Sequence, residues 1–121
     1  MLPCNVTENG VLIIHLRADL DIAGRAAAAW AIDGYLTAHR SAPVMLELSD
    51  APLSTAAVST VVRTHRMCRS SGATLTVLAA TAETRRALEA QTGAEGLAVQ
   101  PTRPLAAAAF SAASTPIAAA A

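Results

Sequence analysis

Ser54 and Thr55 put two adjacent hydroxyls where a short loop, Ser49 to Ser54, gives way to a helical pattern. Two chemistries suit a hydroxyl in that setting. One is structural: the first backbone N–H groups of a helix lack intrahelical partners, and a serine or threonine N-cap accepts from one of them, worth about 1 kcal/mol. The other is covalent. A phosphate there would add roughly −1.5 to −2 charges at a helix end that favours an anion. It would leave the fold intact and obstruct a partner docked over the turn. On spacing alone the capping role is the simpler reading.

A nucleophile is the third use of a hydroxyl, and the pattern does not support it. Ser54, His65 and Asp21 are the residues from which a triad could be assembled. His65 lies eleven residues down the helix from Ser54, roughly 15 Å along its axis at 1.5 Å per residue, beyond hydrogen-bond reach. The chain contains no G-x-S-x-G elbow, phosphate-binding P-loop, dinucleotide fingerprint, H-E-x-x-H or C-x-x-C. His15, His39 and His65 have no metal-ligand spacing, and neither do Cys4 and Cys68. The expectation is a non-enzymatic protein with no cofactor and no metal.

The elements that must hold the two hydroxyls are legible around them. Val44 to Leu48 is a nearly continuous apolar run, as a buried central strand requires. From Thr55 onward, Val58, Val61, Val62, His65 and Cys68 form one helical stripe, ended by Gly72. Cys68 on that stripe reads as a reduced, buried thiol. Upstream, Leu2–Val6 and Val11–Arg17 are strand-like and flank Asn9-Gly10, a hairpin signal; His15 should point outward or line a polar edge. An alanine-rich helix then runs from Ile22 or Ala23 to about Arg40, with Trp30, Ile32, Tyr35 and Leu36 supplying bulk. Downstream, Thr74–Leu78 is a strand, and Thr81 caps a helix over Ala82–Thr92 with Gly93 at C′ and Arg85-Arg86 on a solvated face. Leu97–Val99 is a last strand, and a final helix spans Thr102 to about Phe110.

The order β-β-α-β-α-β-α-β-α predicts an α/β fold: an open mixed sheet with an initial hairpin, then parallel strands joined by right-handed crossovers, and four helices packed mainly on one face. Residues 1–110 form the domain and 111–121 an alanine-rich flexible tail. At 121 residues the chain has room for one modest core, and thirty alanines leave Leu, Val and Ile to fill it. The net charge of zero gives no electrostatic case for nucleic acid. No run of about 18 apolar residues and no leader pattern occurs, so direct membrane insertion is not expected and the cytoplasm is the expected compartment.

Four segments carry a likeness to a known family. They are Leu16-Arg17-Ala18-Asp19-Leu20-Asp21, against "L-x-G-E-L-D"; Val44 to Ser49, against "V-x-L-D-L-S"; Ser70 to Val77, against "G-x-x-L-x-V"; and Ala82 to Gly93, against "p-x-v-r-r-v-L-e-x-t-G". In register and in the same element order, they resemble the STAS domain of bacterial anti-sigma factor antagonists, along the chain to about residue 110. In that family an anti-sigma factor kinase phosphorylates a serine, sometimes a threonine, in a D-[ST]-[SA]-G motif opening the central helix. Counting seventeen residues back from Gly72 reaches Thr55. Thr55 then takes the acceptor position, with Ser54 the second choice and standing where the family has aspartate. Ala57 replaces the glycine, Glu47 the central strand's aspartate and Ala18 another glycine.

The resemblance implies a partner-switching regulator. It would bind an anti-sigma factor of the histidine-kinase-like ATPase class, and phosphate on Thr55 would block the docking. By the same resemblance the partner-binding residues are Asp21, Glu47, Ser49, Ser54, Thr55, Ala56, Val58, Ser59 and Arg63, with Asp50 also near the turn. Arg63, Arg66 and Arg69 line one side of the central helix, either as a solvated face or as partner contacts. Two alternatives stay open: an antagonist that binds without being regulated, and a STAS accessory subunit of an ABC transporter.

Overall fold

The computed structural model describes residues 4–7, 10–40, 42–93 and 96–114. The elements are β1 (Cys4–Val6), β2 (Leu12–Leu16), α1 (Ile22–Ala38), β3 (Val44–Leu48), α2 (Thr55–Ser71), β4 (Leu75–Leu78), α3 (Ala82–Thr92), β5 (Ala98–Gln100) and α4 (Arg103–Ser114). The five strands lie side by side in chain order. β1 pairs antiparallel with β2, and the pairs β2–β3, β3–β4 and β4–β5 are parallel. This is the predicted mixed sheet. Gly10 at φ +79 and a hydrogen bond from Thr7 N–H to Val11 O, 2.9 Å, close the hairpin; Asn9, half of its sequence signal, lies outside the described residues, as do Leu2 and Pro3.

Strand alternation splits the sheet's side chains between two cores. Leu12, Ile14, Leu16, Val44, Leu46, Leu48, Leu75 and Val77 face one way and pack with Ala28 and Ile32 of α1, Ala57, Val61 and Cys68 of α2 and Leu88 of α3. Ile13, Met45 and Leu78 face the other way, against Ala106 and Phe110 of α4. Three helices thus cover one face and α4 alone covers the other. Both faces being covered is why the central strands read as continuous apolar runs.

Several local expectations shift for identifiable reasons. On α2 the buried set is Ala56, Ala57, Val58, Thr60, Val61, Thr64, His65 and Cys68, whereas Val62 is half-exposed. Two threonines enter the core because their hydroxyls donate to carbonyls of their own helix: Thr60 to Ala56 O and Thr64 to Thr60 O, each 2.8 Å. Trp30 does not serve the core at all; it is 79% exposed on α1. Gly72 ends α2 in the left-handed region at φ +77, with Ala73 N–H donating to Cys68 O at 2.8 Å. Gly93, by contrast, is right-handed at φ −55, and the positive φ after α3 belongs to Gly96. Arg85 is more than a solvated charge, since it donates to the carbonyls of Ala79 and Ala80 at 2.9 and 3.0 Å. β4 and β5 each begin one residue later than expected, α1 stops at Ala38, and α4 continues to Ser114. Residues 115–121 of the expected tail lie outside the described residues.

Both cysteines are free thiols, Cys68 buried and Cys4 half-buried. Burial pushes the Cys68 thiol up to about 11. Burial also pushes up the half-buried Cys4 thiol, so a thiol reagent at pH 8 is expected to titrate Cys4 more slowly than an exposed thiol and Cys68 only after denaturation, giving one reactive thiol per native chain and two per unfolded chain. Because the folded thiol ionises later than the unfolded one, the stability that Cys68 contributes is complete below about pH 9 and is lost as pH rises towards 11. Thermal unfolding across that window, with and without Cys68→Ala, measures it.

Candidate functional site

The site lies where the chain leaves the carboxyl ends of β2 and β3. After Leu16 the chain turns through Ala18 to Asp21, and after Leu48 it turns through Ser49 to Ser54. Backbone and hydroxyl groups stitch these loops together. Ser49 N–H donates to Leu16 O at 3.0 Å, and Ser49 Oγ accepts from Ala18 N–H at 2.9 Å. Ser54 N–H donates to Ala18 O at 2.8 Å, and Ser54 Oγ donates to Leu20 O. Ala18, whose N–H and carbonyl both take part in these bonds, is fully buried.

Each loop delivers the N-terminus of a helix. Asp21 caps α1, its Oδ1 accepting from Gly24 N–H at 2.6 Å. Gly24 permits that approach, because a Cβ there would stand 3.0 Å from Asp21 Oδ1 and 3.1 Å from Leu20. Ser54 caps α2, its Oγ accepting from Ala57 N–H at 3.1 Å. Serine and aspartate are near-equivalent N-caps. The exchange of aspartate for Ser54 therefore keeps the helix start that the resemblance requires. Ala57, in place of glycine, is fully buried in the first turn of α2, where alanine is the better helix former.

The two hydroxyls consequently differ in availability. Ser54 Oγ is committed twice, as acceptor for Ala57 and as donor to Leu20. Thr55, the first residue of α2, is exposed. Ser54→Ala removes the cap and leaves Leu20 O without its partner; it is expected to lower unfolding free energy by roughly 2–3 kcal/mol in urea titrations. Thr55→Ala should change it by no more than about 0.5 kcal/mol.

Of the residues nominated from the sequence, the fold places Asp21 on one of two hydrogen-bonded loops and Ser49, Ser54 and Thr55 on or next to the other, and runs Ser59 and Arg63 along the exposed side of α2. Ala56 and Val58 are on the same helix but only 4% and 8% exposed, so they back the turn from the core side. Glu47 stands apart from the turn. It pairs in register with His15 on β2 and points to the α4 face, opposite Leu46 and Leu48. There Arg103 of α4 donates to Glu47 Oε2 from Nε and Nη2 at 3.0 and 2.8 Å, with His15 Nδ1 at 3.8 Å. Arg63 makes a two-pronged pair with Asp33 of α1 at 2.6 and 2.9 Å, and the guanidinium holds the Asp33 carboxyl below its usual range. Asp50 is exposed on the loop before α2. The sequence carried no sign of the Asp33–Arg63 and Glu47–Arg103 pairs, whose members are 30 and 56 positions apart.

Among the described residues, no group of three or more His, Cys, Asp or Glu side chains is arranged to hold a metal ion. No helix among them is long and apolar enough to cross a membrane.

Comparison with protein families matches the STAS domain over residues 4–104. Comparison with curated proteins gives no match. Among solved structures, the chain is similar to the NMR structure of the protein TM1081 at a TM-score of 0.69 and 19% identity, covering 88% of this chain and 85% of that one. A crystal structure of TM1081 from Thermotoga maritima, there described as a proposed anti-sigma factor antagonist, gives 0.68 at 18% identity, covering 87% and 90%. At these identities the likeness is one of fold.

Proposed function

Since the chain belongs to the STAS domain family, we propose that it is an anti-sigma factor antagonist that docks through the Ser54–Thr55 turn and the exposed side of α2. The partner is an anti-sigma factor of the histidine-kinase-like ATPase class, and Thr55 is the residue it phosphorylates. The name given to the structural neighbour TM1081 is consistent with this reading.

The observation that carries the proposal is the division of labour between the two hydroxyls: Ser54 is held as the cap, and Thr55 next to it is exposed. A kinase can reach Thr55 without breaking the cap. Phosphate at the first helical residue sits at the positive end of the α2 dipole, so the fold tolerates it. A partner packed over the turn would have to desolvate a dianion, and docking is lost.

Incubation with the cognate anti-sigma kinase and ATP, followed by peptide mass spectrometry, is expected to place one phosphate on Thr55. Phosphate on Ser54 or elsewhere rejects the acceptor assignment. A kinase that binds the protein and leaves it unmodified marks an unregulated antagonist.

A further inference from the structure

We infer that α4 is a hinged cover on the sheet, latched by the Arg103–Glu47 ion pair, which opens as a unit while the strands and the other helices stay folded. α4 covers the face opposite α2, and its opening does not depend on docking at the Thr55 turn.

The helix brings little of its own to the core. Of its side chains from Arg103 to Phe110, Ala106 is fully buried, Ala109 and Phe110 are half-buried, and the others are exposed, Leu105 at 49%. Its cluster is separate from the main core and consists of Ile13, Met45, Leu78 and Ala106, with Val11 and Phe110 at the margin. A buried methyl contributes far less than a buried leucine side chain. By contrast, α2 buries a full stripe from Ala56 to Cys68. α4 runs over β4 and β5 and follows β5, which ends the sheet, after Pro101 and Thr102. It can therefore swing away without breaking a strand pairing.

Electrostatics at the start of α4 supplies the tie that packing does not. Arg103 is its first residue, and the first turn holds no acidic residue. A cation at the positive end of a helix dipole is unfavourable. Glu47 reverses this. It projects from β3 in the middle of the sheet, and its Oε2 accepts from Arg103 Nε and Nη2 at 3.0 and 2.8 Å, bringing a negative charge to the helix start. The pair is partly solvated, so it biases the closed state by several-fold and does not lock it. Opening bares Ile13, Met45 and Leu78, which stand on three adjacent strands. Met45 pairs in register with Ile13, and Leu78 with Glu47, so the latch stands beside the apolar patch that it closes.

One chain carries both probe and control, because Met45 is buried under α4 and Met67 on α2 is half-buried. The test treats the full chain with hydrogen peroxide under native conditions, follows each methionine by peptide mass spectrometry, and reads amide exchange of α4 and α2 alongside. In Glu47→Gln, which leaves Arg103 unpaired at the helix start, Met45 oxidation and α4 exchange are expected to rise about fivefold or more. In Arg103→Gln, which removes the misplaced cation together with the pair, the rise is expected to be about threefold. The double variant should not exceed Glu47→Gln, since both changes remove one interaction. Met67 oxidation and α2 exchange should stay within about twofold throughout. Below the unfolding transition, Met45 oxidation is expected to vary with urea far less than global unfolding does. If Glu47→Gln fails to fold, Arg103→Gln, at an exposed position, decides alone. Oxidation of Met45 that climbs with the full urea slope, a rate that the substitutions leave unchanged, an equal rise at Met67 and α2, or a double variant that opens more than Glu47→Gln overturns the inference.

Discussion

Thr55→Glu is expected to weaken docking to the proposed anti-sigma partner by on the order of a hundredfold, while leaving the free domain as stable as the parent or slightly more stable. The two effects share one cause. At the first residue of α2 a carboxylate faces the unpartnered N–H groups of the helix, which contributes about 0.3–1 kcal/mol at an exposed position. Within an interface the same carboxylate must lose its water, and a desolvated, unpaired charge costs about 2–5 kcal/mol. Thr55→Ala supplies the contrast: it keeps the turn's shape, because Ser54 holds the cap, and should bind within a few-fold of the parent while no longer responding to ATP. Calorimetric titration of both variants against the purified partner, with urea unfolding of each, reads both quantities. A glutamate variant that binds as the parent does would remove the turn from the interface.

Leu46→Ala carries the largest expected effect on stability, about 3–5 kcal/mol in urea unfolding, the upper part of the range for a buried leucine. Leu46 is fully buried on β3, which is paired on both sides by β2 and β4. The cluster it belongs to includes several short side chains contributed by the helices, among them Ala28, Ala56 and Ala57. Short side chains have no reach with which to fill the vacated space, so the cavity persists and its cost adds to the lost burial. Domains of this size have roughly 5–15 kcal/mol in all, and the variant is expected to be marginal. Met45→Ala, one residue away, should cost about half as much. Met45 belongs to the smaller cluster under α4, where Phe110 and Val11 at the margin are only partly buried and can shift. Equal costs at the two positions would contradict the unequal cores.

Much of the architecture was legible because its signals are local. A capping hydroxyl, a stop at glycine and a change of hydrophobic period each act within a few residues, which is why α2 begins at Thr55 and α3 spans Ala82–Thr92 as read. The apolar runs of β2, β3 and β4 with intervening helices likewise imply parallel pairing. Burial was less legible on α1 and α2. Helical alanines are compatible with either face, so periodicity could not tell that Trp30 points to water, and threonines capable of bonding their own helix displaced Val62 from the core.

By itself, then, the order of residues determined the elements, their succession along the chain and the position of a hydroxyl-bearing helix start, since each follows from short-range propensity and period. Only the tertiary structure decided which of the two hydroxyls caps the helix. Ser54 and Thr55 are equivalent cap candidates to a local rule, and the difference comes from the Leu20 carbonyl, 34 positions away, which engages Ser54 and leaves Thr55 exposed. The fate of Glu47 was decided the same way: alternation sets it opposite Leu46, and long-range packing brings Arg103 to that face and so takes the acid away from the turn. Contacts between residues far apart in the chain depend on which face meets which element, and no local propensity encodes that.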